Sequence, residues 1–203
     1  MITNKRLKAL EEQSIYIIRT AYRDIKNLCL LWSIGKDSTV LLWLARKAFL
    51  GTVPLPLIHI DTGYKIPMMI EYRDRLAKEW KLDLRYGINL QALRSGIIFP
   101  NKNCDRLTCC RLLKTEPLKR VLAGKYPLYK YDVKKGSYKL TRKTIPFRGV
   151  ILGIRADEEG SRSKERYFSK RNKDQNWLIG SQPPDFWEYA NTELLSGETI
   201  RVH

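Results

Sequence analysis

The sequence has no apolar run approaching the roughly 18 residues that a membrane-spanning helix needs. It opens with Met1-Ile2-Thr3-Asn4-Lys5-Arg6, a charged lead into an amphipathic stretch and not the apolar core of a secretory signal. Internal repeats and low-complexity tracts are absent. Only two histidines occur, so no His pair stands out as an acid–base couple. Cysteine is scarce too. Three of the four lie close together at 104, 109 and 110, unlike the framework of a disulfide-stapled secreted mini-protein. A reducing, cytoplasmic location is expected. The largest deficit is in acids: 21 Asp and Glu stand against 38 Lys and Arg, a net charge of +17. Such an imbalance favours polyanionic partners, whether nucleotides, nucleic acid or an acidic protein face. It says nothing about fold.

What is present suits one α/β domain, or one with a modest appendage, in 203 residues. Hydrophobic residues at 43% and aromatics at 10% exclude a wholly disordered chain. Residues 5–26 read as a helix, with Leu7, Leu10, Ile17, Ile18, Ala21 and Ile25 near helical spacing. The run 28–32 has the length and composition of a strand buried on both faces. It ends in Ser33-Ile34-Gly35-Lys36-Asp37-Ser38, and residues 39–49 look helical again, striped by Val40, Leu41, Leu44, Ala45 and Ala48. A second strand at 57–60 stops at Asp61-Thr62-Gly63, and a helix over 67–80 starts on Pro67. A third strand is expected at 82–86, a helix at 110–123 interrupted by Pro117, and a last clear strand at 150–154. This alternation predicts a doubly wound, mostly parallel α/β sheet, whose ligands sit beyond the carboxyl ends of the strands.

Two stretches break the pattern. Residues 125–148 interleave Tyr126, Tyr129, Tyr131 and Tyr138 with basic residues and read as a basic hairpin or long loop. Within 102–148, fourteen Lys or Arg face three acids, which supplies +11 of the total charge. After Arg155 the chain turns polar and irregular, as a tail that wraps over the site or meets a partner.

A strand, the run 33–38 and then a helix make a phosphate-binding arrangement. A helix start offers unpaired N–H groups and a positive dipole end. Gly35 lets backbone approach an anion, Lys36 adds a charge, and the hydroxyls of Ser33 and Ser38 can donate to phosphate. Asp37 is placed to hold Mg2+ or to cap the helix. The common nucleotide-triphosphatase loop, with two glycines before Lys, is not present. The pattern is instead Ser-x-Gly-x-Asp-Ser, which resembles the ATP pyrophosphatase (PP-loop) group. That resemblance implies the adenine nucleotide alpha-hydrolase-like fold, ATP as substrate and cleavage between its α and β phosphates.

A narrower resemblance rests on three separated blocks. Residues 10–49, with Trp32-Ser33-Ile34-Gly35-Lys36-Asp37-Ser38-Thr39, closely resemble the small ATP-binding subunit of sulfate adenylyltransferases, where Ile34 is typical. The second block is Leu57-Ile58-His59-Ile60-Asp61-Thr62-Gly63-Tyr64-Lys65, followed by Glu71-Tyr72-Arg73-Asp74. There His59 and Asp61 either contact the ribose or adenine, or, for His59, sit buried against backbone. The third, Leu152-Gly153-Ile154-Arg155-Ala156-Asp157-Glu158-Glu159, running on through Arg162 to Arg166, looks like the family's arginine-rich motif. It implies that Arg155 and Arg162 grip oxyanions with planar forks, with Gly153 and Asp157 beside the nucleotide. Segments around Trp177 and Trp187 and at 197–202 are also family-like. The resemblance further implies sulfate as acceptor, Mg2+ with the ATP, and a GTPase large subunit or a sulfur-transfer partner. Two features depart from it: the chain stops at His203, where family members continue into a further domain, and 125–148 looks inserted.

The cysteines also resemble those of phosphoadenylyl sulfate reductases. That group uses a late catalytic cysteine, and none follows Cys110, so a reductase is not expected. Cys104, Cys109 and Cys110 remain either ligands of an iron–sulfur cluster or zinc, or plain thiols. The expected division is a nucleotide-binding domain over 1–160 and an extension over 161–203. Three functions stay open: sulfate adenylyltransfer; ATP-driven activation of a nucleic-acid site for sulfur insertion, guided by 102–148; and a non-catalytic nucleotide- or partner-binding relic.

Overall fold

In the computed structural model the described residues are 4–100, 104–125, 129–132, 137–140, 145–154, 166–181 and 192–203. They form two compact units, Met1–Leu55 with Phe147–His203, and Pro56–Pro146.

In the first unit, α1 (Asn4–Asp24) buries only its second half, through Ile17, Ile18, Thr20 and Ala21. Leu7 and Leu10, which share the sequence stripe, are about half exposed at 53% and 47%. The strand β1 (Leu28–Leu31) is made of Leu-Cys-Leu-Leu and is buried as expected. Its successor, α2 (Lys36–Ala48), buries Ser38, Leu42, Ala45 and Ala48. Val40, Leu41 and Leu44, expected on the packed stripe, line a cavity instead.

The later part of this unit holds more order than its composition suggests. The strand β6 (Gly149–Ile151) pairs in parallel with β1, aligning Leu28 with Gly149 and Leu30 with Ile151. It is not the last strand. β7 (Phe168–Arg171) and β8 (Thr199–Val202) lie in the stretch expected to be an irregular tail. β8 runs parallel to β6 and β7 antiparallel to β8, so this unit's sheet has the order β1-β6-β8-β7. Thr199-Ile200-Arg201-Val202 alternates with period two and puts Ile200 and Val202 in the core. Four residues are too few for that alternation to stand out against polar neighbours.

In the second unit, β2 (Leu57–Asp61) and β3 (Leu84–Ile88) pair in parallel, with Asp61 opposite Ile88. Between them α3 (Pro67–Glu79) begins on Pro67, where a missing N–H costs nothing. β3 starts two residues later than the apolar run suggests. Lys81 takes a positive φ of 53°, and the Leu82 N–H returns to the Ala77 carbonyl at 2.9 Å, so Leu82 closes the helix. After the short α4 (Leu90–Arg94), α5 (Arg106–Cys110), a π-helical turn (Arg111–Thr115) and α6 (Glu116–Leu122) follow without a break. Pro117 has no N–H and crowds the preceding turn, and the wider π turn just before it absorbs that misfit. The basic segment is a hairpin: β4 (Tyr129–Asp132) pairs antiparallel with both β3 and β5 (Ser137–Leu140), giving β5-β4-β3-β2.

The parallel pairs belong to the α/β alternation, and the antiparallel ones to the hairpin and to β7. This is the doubly wound α/β class expected. Among the described residues, no helix is long and apolar enough to cross a membrane.

Gly149 gives a direct check on the β1–β6 register. A Cβ there would lie 2.6 Å from Ile25 Cγ2, 2.8 Å from Leu28 Cδ1 and 3.2 Å from Ile200 Cγ2. Gly149→Val should therefore lower unfolding free energy by about 1–3 kcal/mol, the usual cost of overpacking a core. Urea denaturation measures it, and an unchanged midpoint would contradict this packing.

Candidate phosphate-binding site

The loop leaving β1 is tied down before it can bind anything. Trp32, 1% exposed, donates its indole N–H to the Thr39 hydroxyl at 3.1 Å, joining the strand end to the first turn of α2. Ser38 closes the loop from inside. Its hydroxyl donates to the Gly35 carbonyl at 3.1 Å and accepts the Ser33 N–H at 3.3 Å, with the Ser33 hydroxyl 2.9 Å away. Ser38 thus holds the loop closed through its hydroxyl, while Ser33 stays exposed.

The unusual backbone falls on Ile34, not on Gly35. Ile34 has φ of +71°, a left-handed conformation that costs an L-residue about 1–2 kcal/mol. Its side chain is only 7% exposed, and burying an Ile returns roughly 1.5–3 kcal/mol. Gly35 has an ordinary extended backbone (φ −70°, ψ 163°). What it contributes is the missing side chain, since a Cβ would sit 3.3 Å from Ser33 Oγ.

The start of α2 carries no side-chain cap. Exposed Lys36 stands at this helix start, a positive end suited to an anion. Asp37, half-buried in the same turn, lines a cavity of about 480 Å3 whose other walls include Ile17, Leu41, Ile151 and Tyr167.

Gly153 is where the third sequence block meets this loop. A Cβ on Gly153 would come within 3.1 Å of the Asp37 carbonyl oxygen and 3.2 Å of Ser38 Cα. The chain leaving β6 therefore runs backbone to backbone against the first turn of α2. Because β1 and β6 are parallel, both turns lie at the carboxyl ends of their strands. Arg155, Asp157 and Arg162 lie outside the described residues.

Within the second unit, Asp61 ends β2 and accepts the Gly63 N–H at 2.8 Å. Its other oxygen is 3.7 Å from Arg73 Nη1, while Arg73 Nε donates to Asp74 at 2.8 Å. Arg73 is wholly buried, with its guanidinium 4.6 Å from the centre of the Tyr86 ring. His59 is also wholly buried and meets Tyr86 edge-on, ring centres 5.8 Å apart. His59 is thus enclosed in the core of this unit. The sequence did not mark Arg73 as the group that positions Asp61; a charged residue in a helix reads as solvated. Burial pushes the Lys65 ammonium below its ordinary pKa, with Lys114 and Arg73 adding to the shift and Asp61 opposing it.

The cysteine cluster does not assemble as a metal centre. Among the described residues, no group of three or more His, Cys, Asp or Glu could hold a metal ion. Cys109 and Cys110 are neighbours on a helix, so their side chains diverge by about 100°.

Fold and loop together define an α/β protein of the PP-loop kind. Residues 27–202 match the family model described as the phosphoadenosine phosphosulfate reductase domain, and the chain belongs to that family. Among curated proteins it is similar to sulfate adenylyltransferase subunit 2 of Geotalea daltonii, 41% identical over 97% of this chain and 58% of the relative. A second such protein, from Alkalilimnicola ehrlichii, is 40% identical with the same coverage, and one from Allorhizobium ampelinum is 41% identical over 97% and 55%. The chain thus spans a little over half the length of these relatives. Among solved structures it resembles phosphoadenylyl-sulfate reductase from Candida auris, in a phosphate complex, with TM-score 0.53 and 17% identity over 100% of this chain and 79% of that one. That likeness is one of fold.

The loop backbone can be tested without a ligand. At position 34 the side chain is lost in either small replacement, but only Gly tolerates the positive φ. Ile34→Gly should be about 1 kcal/mol more stable than Ile34→Ala by thermal or urea unfolding. Alanine proving the more stable would mean that φ at 34 is not positive.

Proposed function

We propose that the chain is a PP-loop adenylyltransferase that cleaves ATP between the α and β phosphates and joins the adenylyl group to sulfate, releasing pyrophosphate. The observation that carries this is the uncapped, lysine-bearing start of α2 with the β6 exit packed on it at Gly153. The name shared by the 40–41% identical relatives supports the acceptor. Sulfate is already ionised, so attack on the α-phosphorus needs no general base, in keeping with a buried His59. Catalysis then consists of positioning and charge neutralisation. In this proposal Ser33, Gly35 and the helix N–H groups hold the leaving diphosphate, Lys36 neutralises it, and Arg155 and Arg162 hold the oxyanions, with Asp157 orienting them.

Asp37 is one carboxylate at the phosphate end, and Mg2+ is ordinarily held by one or two carboxylates together with substrate phosphates and water. The donor set fits an ion that arrives with ATP and supplies charge neutralisation there. Residues 1–160 would carry the nucleotide site, with 161–203 as its extension. A GTPase large subunit or a sulfur-transfer protein would be its partner, in a cytoplasmic setting.

A second reading keeps the ATP chemistry and makes nucleic acid the acceptor. The hairpin favours it: Arg85, Lys130 and Lys139 occupy successive register positions across β3, β4 and β5. Within 102–148 fourteen Lys or Arg stand against three acids, an excess that phosphate contacts would neutralise.

One assay separates these readings: pyrophosphate release from magnesium-ATP with sulfate, tRNA, DNA or no acceptor. Sulfate-dependent release is expected, and Lys36→Ala should reduce it by about 10²–10³-fold, as losing a preorganised charge partner does. Release stimulated only by nucleic acid would favour the second reading. ATP binding without release with any acceptor would leave a nucleotide-binding relic.

A further inference from the structure

The helix start at 105 holds a pair of thiols that the proposed adenylyltransfer does not use. Asp105 is the N-cap of α5: its carboxylate accepts the Thr108 N–H and the Thr108 hydroxyl, both at 2.8 Å. Cys104 therefore precedes the cap, and Cys109 is the fourth helical residue. These are the two positions whose side chains pack together as a staple across a helix N-terminus, a role usually given to apolar residues. Here both are cysteines. Cys104 is buried with its thiol donating to the Asp105 carbonyl at 3.4 Å, and Cys109 is half-buried. Cys110 lies one residue further on, turned about 100° away from the staple. Cys29 is remote from this chemistry, buried in β1 with its thiol on the Gly149 carbonyl.

We infer that Cys104 and Cys109 form a site of reversible disulfide modification, oxidised by a low-molecular-weight disulfide such as oxidised glutathione. Cys109 is the attacking thiol, because it is the more accessible and Cys104 is pushed up by burial. Its thiolate attacks one glutathione sulfur, breaking that S–S bond and releasing one glutathione thiolate, which takes up a proton. Cys104 then loses its proton to solvent and attacks the Cys109 sulfur, expelling the second glutathione. Two protein thiols are oxidised and one small disulfide is reduced to two thiols. The bond would make covalent the staple that starts the helical run carrying Lys114.

Trypsin reads the outcome directly, since Arg106 separates the two cysteines and Lys102 and Arg111 flank them. The full chain is equilibrated with oxidised glutathione, alkylated and digested without reductant. We expect free thiols to fall from four to two per chain. Peptides 103–106 and 107–111 should remain joined, in the unaltered chain and equally in Cys110→Ser, and separate on adding reductant. Cys104→Ser should instead trap glutathione on Cys109. The inference fails if the unaltered chain accumulates glutathione on Cys109 or Cys110 without the cross-link, if the link disappears in Cys110→Ser, or if all four thiols persist.

Discussion

The site depends on one close approach, that of Gly153 to the backbone of Asp37 and Ser38. Nothing larger than hydrogen fits at Gly153 without moving the carbonyl of Asp37, which is already part of the first turn of α2. Because two backbones touch there, the spacing between the phosphate loop and the chain leaving β6 is set by main-chain geometry. Side-chain rotamers cannot relax it. Oxyanion recognition needs that kind of fixed spacing, since preorganised donors gain their strength from not having to move.

The rest of the loop is built to keep this contact in place. Ile34 sits in a backbone region hostile to branched side chains, and the burial of its own side chain offsets that strain. Ser38 uses its hydroxyl internally, and Trp32 locks onto Thr39. A loop with these internal commitments has little conformational freedom left to lose when an anion arrives. In the second unit, buried Arg73 does comparable work for Asp61: two carboxylates and an aromatic face surround it, so the strand end that carries Asp61 is held from behind.

Much of this is legible in the amino-acid sequence. The phosphate loop is readable because three signals coincide over residues 28–49: a doubly buried strand, a small-residue turn with Lys, and an apolar-striped helix. Pro67 marked a helix start correctly. Gly153 was identified only through resemblance, since nothing local distinguishes a glycine in tight contact from one in a turn. The positive φ falls on Ile34 and not on the neighbouring Gly35, because residue type suggests where a positive φ is tolerated and not where it is imposed. His59 was left between two roles because one histidine in an apolar run looks the same whether it faces a ligand or Tyr86. β7 and β8 escaped notice as four-residue strands whose partners are far apart in sequence. The π turn escaped because Pro117 reads as a break, whereas a wider turn carries the helix past it.

The most direct test is ATP affinity in a Gly153→Ala protein, measured by calorimetry beside a circular dichroism melt. The added methyl meets backbone at 3.1 Å, so the first turn of α2 must give way by a few tenths of an ångström. We expect magnesium-ATP binding to weaken by about tenfold or more, equivalent to roughly 1.4 kcal/mol, while the fold is retained. A folded Gly153→Ala protein that binds ATP as tightly as the unaltered chain would show that the β6 exit and the phosphate loop do not form one site.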